Sequence, residues 1–580
     1  MDRIIRVDMK DRKISEESMP LDYLNFGGRA LTSRLVSAEV PPSCEPFGKK
    51  NKCFLATGPF AGTSFPCSGR LSIGGKSPLT GGIKESNVGG TAAWKLSRLG
   101  IRCLILEGLP SSGKDLFILR LSKEQNNLVD ASKFEKMKTY ELVKKLKAQF
   151  GENTSIIAIG PAGEMKLSAA GVAVTDIDGN PCDYAGRGGM GAVMGSKRIK
   201  AIIIDDTGAE KEHEYFDRKK FVDISKEYTK KLLNTKKELH KYGTPIEIAM
   251  SNELGYLPTR NYQNGRFEKA DMISGEMMHD LIQKRGGKSG TACMPGCPIR
   301  CKQTFIDNKR EYLTSSLEYE TIVMLGSNCG IDDLDSIAMM DRKCDELGID
   351  TMEIGAAIAV AMEAKIIEFG DTNGVFSLLH EIEVGSPLGR VLGNGAGVTG
   401  KVFGVERVPV VKGQSLAGYD PRSNKGMGVT YMSSPMGADH TAGCVIPGRK
   451  GFDTQKDYDL LKKDGQEELS VDLQIMVSAI DGMGVCFFAG VDVEMLKTLT
   501  KLYNAKFGTN VSVDEIVQTA KDTIALEHRF NLESGLPMVQ NLPEFFTNEP
   551  LSPHRSLFDV NKKVINSAMI RQLKLKGGSK

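Results

Sequence analysis

The chain has 580 residues, 76 Lys and Arg against 73 Asp and Glu, and 12 cysteines. So balanced a charge excludes a strong overall field for nucleic acid or an anionic membrane, and a partner must be recognised at a local site. The length predicts three or four domains with interior enough to enclose a large group.

The N-terminal stretch "MDRIIRVDMKDRK" is charged throughout and has neither the apolar core nor the small-residue cleavage site of a signal peptide. The longest apolar run, "GAAIAVAMEA" at 355–364, is too short to span a bilayer. A cytoplasmic location is the expectation, and in that reducing compartment clustered cysteines are read as metal ligands rather than disulfides.

Residues 1–208 are Gly-rich, and the runs "CFLATG", "CLILEG", "LFILRL", "SIIAIG" and "KAIIIDD" predict short strands between turns. Within "YAGRGGMGAVMGSKRIKAIIIDD", Gly186, Gly188 and Gly191 satisfy G-x-G-x-x-G, with Asp205 and Asp206 about twenty residues on. A dinucleotide fold is not predicted. The preceding "NPCDYA" reads as a turn, and too little chain separates the glycines from "KAIIIDD" for a crossover helix. Nor is it a P-loop, because Ser196 lies between Gly195 and Lys197. Two readings stay open: a backbone cradle in which Gly186 lets peptide groups approach a phosphorylated cofactor, and a tight turn feeding a strand.

From 210 to 242 the sequence becomes a charged helical stretch, and helical periodicity dominates beyond it. Boundaries are placed near 208 and 416, giving segments 1–208, 209–416 and 417–580. In "TACMPGCPIRCKQTF", Cys293, Cys297 and Cys301 recur every fourth residue, but Pro295, Gly296 and Pro298 oppose a helix. The three thiols are expected on an irregular loop. Two predicted helices, "DDLDSIAMMDRKCDELGID" and "SVDLQIMVSAIDGMGVC", end alike, in Asp345-x-x-Gly348-x-Asp350 and Asp481-x-x-Gly484-x-Cys486. They read either as a pair of clasps around something rich in N–H donors or as ordinary helix caps. Cys486 is a candidate fourth thiolate, and four thiolates suit zinc as well as iron and sulfur.

In order along nearly the whole chain, "TGPFAGT", "SGRLSIGG", "KSPLTGG", "NVGG", "AGRGGMGAVMGSK", "CPIRC", "EYET", "DELGID", "GADH" and "DGMGVC" resemble the tungsten-pterin aldehyde ferredoxin oxidoreductase family. The resemblance implies an α+β fold, in which a β-rich N-terminal base carries a bis-pterin cofactor and two mainly α-helical domains cap it. It carries the ligands of a 4Fe-4S cluster onto Cys293, Cys297, Cys301 and Cys486. Three residues separate the first two of these, where the family usually has two.

The same resemblance gives one pterin to Asp345 and Asp350 and the other to Asp481 and Cys486, and sets Arg70 between cluster and pterin. Backbone carbonyls of Asn87 and Ala185 would hold a magnesium ion joining the pterin phosphates. Tungsten, or molybdenum, would be bound by cofactor sulfurs, so no protein ligand is expected for it. His440 would donate to an aldehyde oxygen, and Glu318 or Glu320 would take a proton from the attacking water. The implied reaction oxidises an aldehyde to a carboxylate and passes electrons through the cluster to ferredoxin or an iron–sulfur partner subunit. Homodimer assembly is compatible with this, and neither nucleic acid nor membrane is an expected partner. Two alternatives are a noncatalytic electron-transfer subunit and a catalytic subunit of a larger complex that reduces an aromatic thioester.

Overall fold

The computed structural model describes residues 2–111, 115–209 and 214–574. Two six-stranded mixed sheets fill the N-terminal third. The first contains β1 (Arg3–Asp8), β2 (Lys13–Ser18), β3 (Cys53–Thr57), β4 (Leu71–Lys76), β5 (Ile83–Val88) and β6 (Ile101–Glu107), in the order β2-β1-β6-β3-β4-β5. The second contains β7 (Phe117–Ser122), β8 (Asn126–Asp130), β9 (Ser155–Ala158), β10 (Val172–Val174), β11 (Asp183–Ala185) and β12 (Ile199–Asp205), in the order β11-β10-β9-β12-β7-β8. All five apolar runs form strands.

Successive side chains in a strand point to opposite faces, so an unbroken apolar run serves two cores at once. Phe54 and Ala56 of β3 pack with Leu31, Leu35 and Val36 of the helix Gly28–Glu39. Their neighbours Cys53 and Leu55 share a different core with Leu119, Ile202 and Ile204 of the second sheet. On that sheet's far face, Ile118, Ala158 and Ile203 meet Leu142, Val143 and Leu146 of the helix Thr139–Phe150. The result is a layered base of helix, sheet, sheet and helix. Its edge strands β5 and β11 are neighbours, each with one side free of a ladder partner.

"NPCDYA" is not simply a turn, because its last residues form β11, paired antiparallel with β10. A seven-residue helix, Met190–Ser196, does follow the glycines, yet β12 beyond it pairs with β7 and β9 and not with β11. No βαβ unit forms. Close packing sets most of this glycine pattern: a Cβ at Gly189, Gly191 or Gly195 would lie 2.5, 2.1 or 2.0 Å from a backbone carbonyl oxygen.

Most of the remaining chain is helical. The charged helical stretch read over 210–242 includes residues 210–213, which lie outside the described residues. Its helix runs Arg218–Thr235, capped by Asp217 accepting from the Lys220 N–H, and a second short helix, Lys237–Tyr242, follows Lys236. The apolar run at 355–364 lies almost wholly in the core helix Thr351–Glu363. Among the described residues no helix is long and apolar enough to cross a membrane.

The helix Gln466–Gly482 packs on Gly28–Glu39, Lys425–Ser433 and Val513–Glu533, tying the base to the C-terminal helices. One buried ion pair spans that junction: Arg29 donates through Nε and Nη2 to Glu527 at 3.0 and 2.8 Å. Removing either partner of such a pair costs about 3–5 kcal/mol, since the other charge is left buried and alone.

Candidate functional site

A cavity of about 580 Å³ opens between the base and the helical segments. Both paired helix ends border it, and each is fixed to a different part of the base by backbone bonds. At the first, Gly348 adopts the left-handed conformation that ends the helix Leu334–Leu347. Its carbonyl accepts from the Gly171 N–H, and the Asp350 N–H donates to Ala169. At the second, the Gly484 carbonyl accepts from the Arg70 N–H and the Cys486 N–H donates to Cys67. Contact there is so close that a Cβ on Gly58 would lie 2.3 Å from the Met483 carbonyl oxygen.

The two ends differ in chemistry. Asp350 does cap the helix Thr351–Glu363, accepting from the Met352 and Glu353 N–H groups at 3.1 and 3.2 Å. Asp345 caps nothing. It accepts from Ser316 Oγ at 2.8 Å, and burial, reinforced by Asp341, pushes its carboxyl well above the usual range. Burial likewise pushes Asp481 up to about 8, with Glu85 adding to the effect and Arg29 opposing it.

Cys293, Cys297 and Cys301 lie on an irregular loop between β13 (Lys288–Thr291) and β14 (Lys302–Ile306), whose bends use left-handed Gly296 and Arg300. Cys293, Cys301 and Cys486 line the cavity, whereas Cys297 lines its outer side. The four sit within one another's fields: burial first, then Glu318, Cys293, Cys486 and Cys297 push the Cys301 thiol up. Among the described residues no three His, Cys, Asp or Glu side chains gather closely enough to share one metal ion. A fifth thiol, which the sequence reading missed, belongs to the group. Cys67 Sγ is 3.8 Å from Cys297 Sγ.

Arg70 reaches from these thiols to the carboxyls. Burial opposes its charge, but Cys486, Cys293, Asp183 and Asp481 together raise its pKa, and its Nε donates to Asn87 Oδ1. Asn87 and Ala185 lie on the neighbouring edge strands β5 and β11. Asn87 lines the cavity, as does Gly186, while Ala185 is buried beside it. A Cβ on Gly186 would meet only Asp350, at 3.5 Å and beyond, so at this position glycine is not forced by packing. Arg187 follows Gly186 as Arg70 follows Gly69, and that repeated Gly-Arg could have marked it. Its Nη2 donates to Ser415 O at 2.7 Å, and its Nε lies 3.4 Å from Asp350.

His440, Glu318 and Glu320 meet on the cavity's helical side. His440 Nε2 is 2.9 Å from Glu320 Oε1, and although burial works against the Glu320 charge, His440 holds its pKa below the ordinary value. Glu318 occupies the cap position of the helix Tyr319–Leu325 without capping it. Thr244 does so instead, accepting from the Tyr319 N–H at 2.8 Å and donating its hydroxyl to Glu318 at 2.5 Å. Burial pushes the freed Glu318 up to about 7. The turn carrying His440 is anchored by Lys84, which donates to Asp439 Oδ2 at 2.5 Å. Lys84, then His440 and Arg187, outweigh burial and hold Asp439 well below the carboxylate range.

Several buried polar atoms lining this cavity lack a protein partner: Glu85 Oε1, Asn87 Nδ2, Asp183 Oδ2, Asp341 Oδ1 and His440 Nδ1. Buried polar groups are nearly always satisfied. Donors and acceptors left over on one set of walls, beside grouped thiols, fit a large polar ligand rich in N–H groups and sulfur.

Fold and cavity define a chain whose β-rich base and helical segments enclose a polar, thiol-lined space, and comparison with known proteins gives its family. Residues 4–206 match the family model for the N-terminal domain of aldehyde ferredoxin oxidoreductase, and residues 223–572 match that for its domains 2 and 3. The chain belongs to this family and is an aldehyde ferredoxin oxidoreductase-like enzyme. It is 33% identical over 581 residues to the tungsten-containing aldehyde ferredoxin oxidoreductase of Pyrococcus horikoshii, covering 95% of this chain and 92% of the relative. The WOR-like subunit of the aliphatic sulfonate oxidoreductase of Pyrococcus furiosus is 26% identical over 494 residues, covering 78% of this chain and 76% of that protein. Among solved structures, the active-site complex of benzoyl coenzyme A reductase with 1,5-dienoyl-CoA shares the fold, with a TM-score of 0.81 and 18% identity, covering all of this chain and 94% of that one.

Proposed function

We propose that the protein oxidises aldehydes to carboxylates at a tungsten- or molybdenum-bis-pterin centre and passes the electrons through a 4Fe-4S cluster to ferredoxin or an iron–sulfur partner subunit. The observation that carries this reading is the convergence of grouped thiols, unpartnered polar atoms and the His440–Glu320 pair on one cavity. Relatives named as tungsten-containing enzymes support the choice of metal.

Cys293, Cys297, Cys301 and Cys486 would hold the cluster; thiols spread around a space suit a polynuclear body better than tetrahedral zinc. Asp345 and Asp350 would grip one pterin, and Asp481 and Cys486 the other, with Gly186 giving the second sheet's edge close approach. Arg70 would bridge cluster and pterin, and carbonyls of Asn87 and Ala185, on the edge strands β5 and β11, would serve magnesium. When bound, the metal-pterin group supplies the two-electron oxidation and the cluster the one-electron relay.

The balance is one aldehyde and one water to one carboxylic acid, two electrons and two protons. Glu320 fixes the His440 ring through Nε2, and the unpartnered Nδ1 would serve as the hydrogen-bond donor to the aldehyde oxygen. Glu318, titrating near neutrality, accepts the proton of the attacking water.

The thioester-reducing alternative draws only on a fold likeness at 18% identity, whereas the aldehyde reading draws on relatives at 33%. The test is an aldehyde panel against a viologen dye with His440→Asn. The variant should lose about 100-fold or more in turnover with tungsten or molybdenum and iron retained. Full retention of rate removes His440 from the mechanism.

A further inference from the structure

On the outer side of the cysteine loop lies a second concavity of about 650 Å³, separate from the first. Its floor is the loop itself, Met294 to Pro298, so Cys297 is the one thiol of the four that faces outward. Its wall is the end of the helix Arg218–Thr235 continuing into Lys236 and Lys237, with Ile177 and Arg300 on the rim. Lys236 borders both concavities, so a single side chain separates the groove from the cavity at that point.

The lining has a definite sign. Lys236, Lys237 and Arg300 are basic, and no Asp or Glu lines the groove, although the chain as a whole is balanced at 76 to 73. Glu238, next along the chain, borders the inner cavity instead. Two large apolar side chains of the lining are left open, Leu233 at 55% and Ile177 at 46% exposure. Exposed apolar side chains beside basic ones on one concave surface are what a protein interface presents.

We propose that this groove docks a small acidic one-electron carrier protein over Cys297, making that ligand's edge of the cluster the electron exit. The proposal rests on the reading of the four cysteines as cluster ligands. Charge complementarity selects the occupant: a basic patch attracts an acidic surface and speeds encounter without needing high affinity. The transfer would take one electron from a cluster held by the four cysteines to the carrier's oxidised centre, with no bond or proton moved.

The experiment uses anaerobically purified holoenzyme, reduced with dithionite and freed of excess, mixed in stopped flow with oxidised acidic 4Fe-4S ferredoxin at low and high salt. Lys237→Glu combined with Arg300→Glu should lower the second-order rate constant at low salt at least tenfold and remove the decline with salt seen in the native protein. Reduction of a small uncharged quinone and the iron content should not change. Iron present with native rate and salt dependence toward ferredoxin in the variant overturns the groove's role. So does an equal loss toward the quinone, which locates the effect in the cluster, and so does a change of oligomeric state, which gives the groove to a second copy of the chain. A native protein without iron overturns the cluster reading itself and the proposal with it.

Discussion

Replacing Asp481 by Asn should stabilise the cofactor-free protein more at pH 8 than at pH 5. The carboxyl is pushed up to about 8 by burial, far above the value of about 3.9 it takes in an unfolded chain. A folded state that binds the proton more tightly than the unfolded state loses stability as pH rises between those two values. From pH 5 to pH 8 that loss is roughly 4 kcal/mol by linkage. The side chain keeps 15% exposure, so some solvation of the anion survives, and a working figure is about 2 kcal/mol. With an unfolding entropy of about 2 cal/mol/K per residue, the variant should melt about 2 °C above the native protein at pH 8 if the chain unfolds as one unit. Scanning calorimetry of both apoproteins at the two pH values measures it. A gain of equal size at pH 5 and pH 8, or none at pH 8, would refute the assignment of a costly buried charge to this position. The holoenzyme should show the reverse, with the variant losing cofactor, because the Asp481 carboxyl is the acceptor that an N–H-rich ligand would use.

Cys486→Ser should lose the broad visible absorbance and much of its iron, while Cys67→Ala, which removes a neighbour and not a ligand, should keep about four iron atoms per chain; matching losses in the two would reassign the ligand set. Glu318→Gln should abolish the rise in kcat/KM through pH 7, because Glu318 acts as its carboxylate and titrates near that value; an unchanged limb in the pH profile rejects it as the base. Lys84→Met leaves Asp439 buried without its cation, which costs about 3–5 kcal/mol in stability. It should also lower kcat through the displaced His440 turn, and a native melting temperature with native kcat would contradict the anchoring role.

Much of the fold is written locally. An apolar run bounded by glycines can be buried on both faces only as a strand, and periodic helices ending at Gly348 and Gly482 announce their own stops. For that reason the strands and the two paired helix ends could be read in advance. What decides the site is mostly nonlocal. Arg29 and Glu527 are 498 residues apart, Lys84 and Asp439 are 355, and Cys67 and Cys297 are 230, so no window of sequence relates them. Local pattern also left a choice open between a backbone cradle and a tight turn. Of the glycines after Ala185, Gly189, Gly191 and Gly195 answer to backbones packed against them, and only Gly186 borders the cavity. Glu318 and Glu320 could not be told apart by spacing, because their difference comes from Thr244 taking over the cap and His440 pairing with the other.

The central claim, one inorganic core enclosed by base and lids, is tested most directly by elemental analysis of the anaerobically purified protein. The account predicts about four iron atoms together with about one tungsten or molybdenum per chain. Iron without either heavier metal, or zinc bound to the thiols in place of iron, would contradict it.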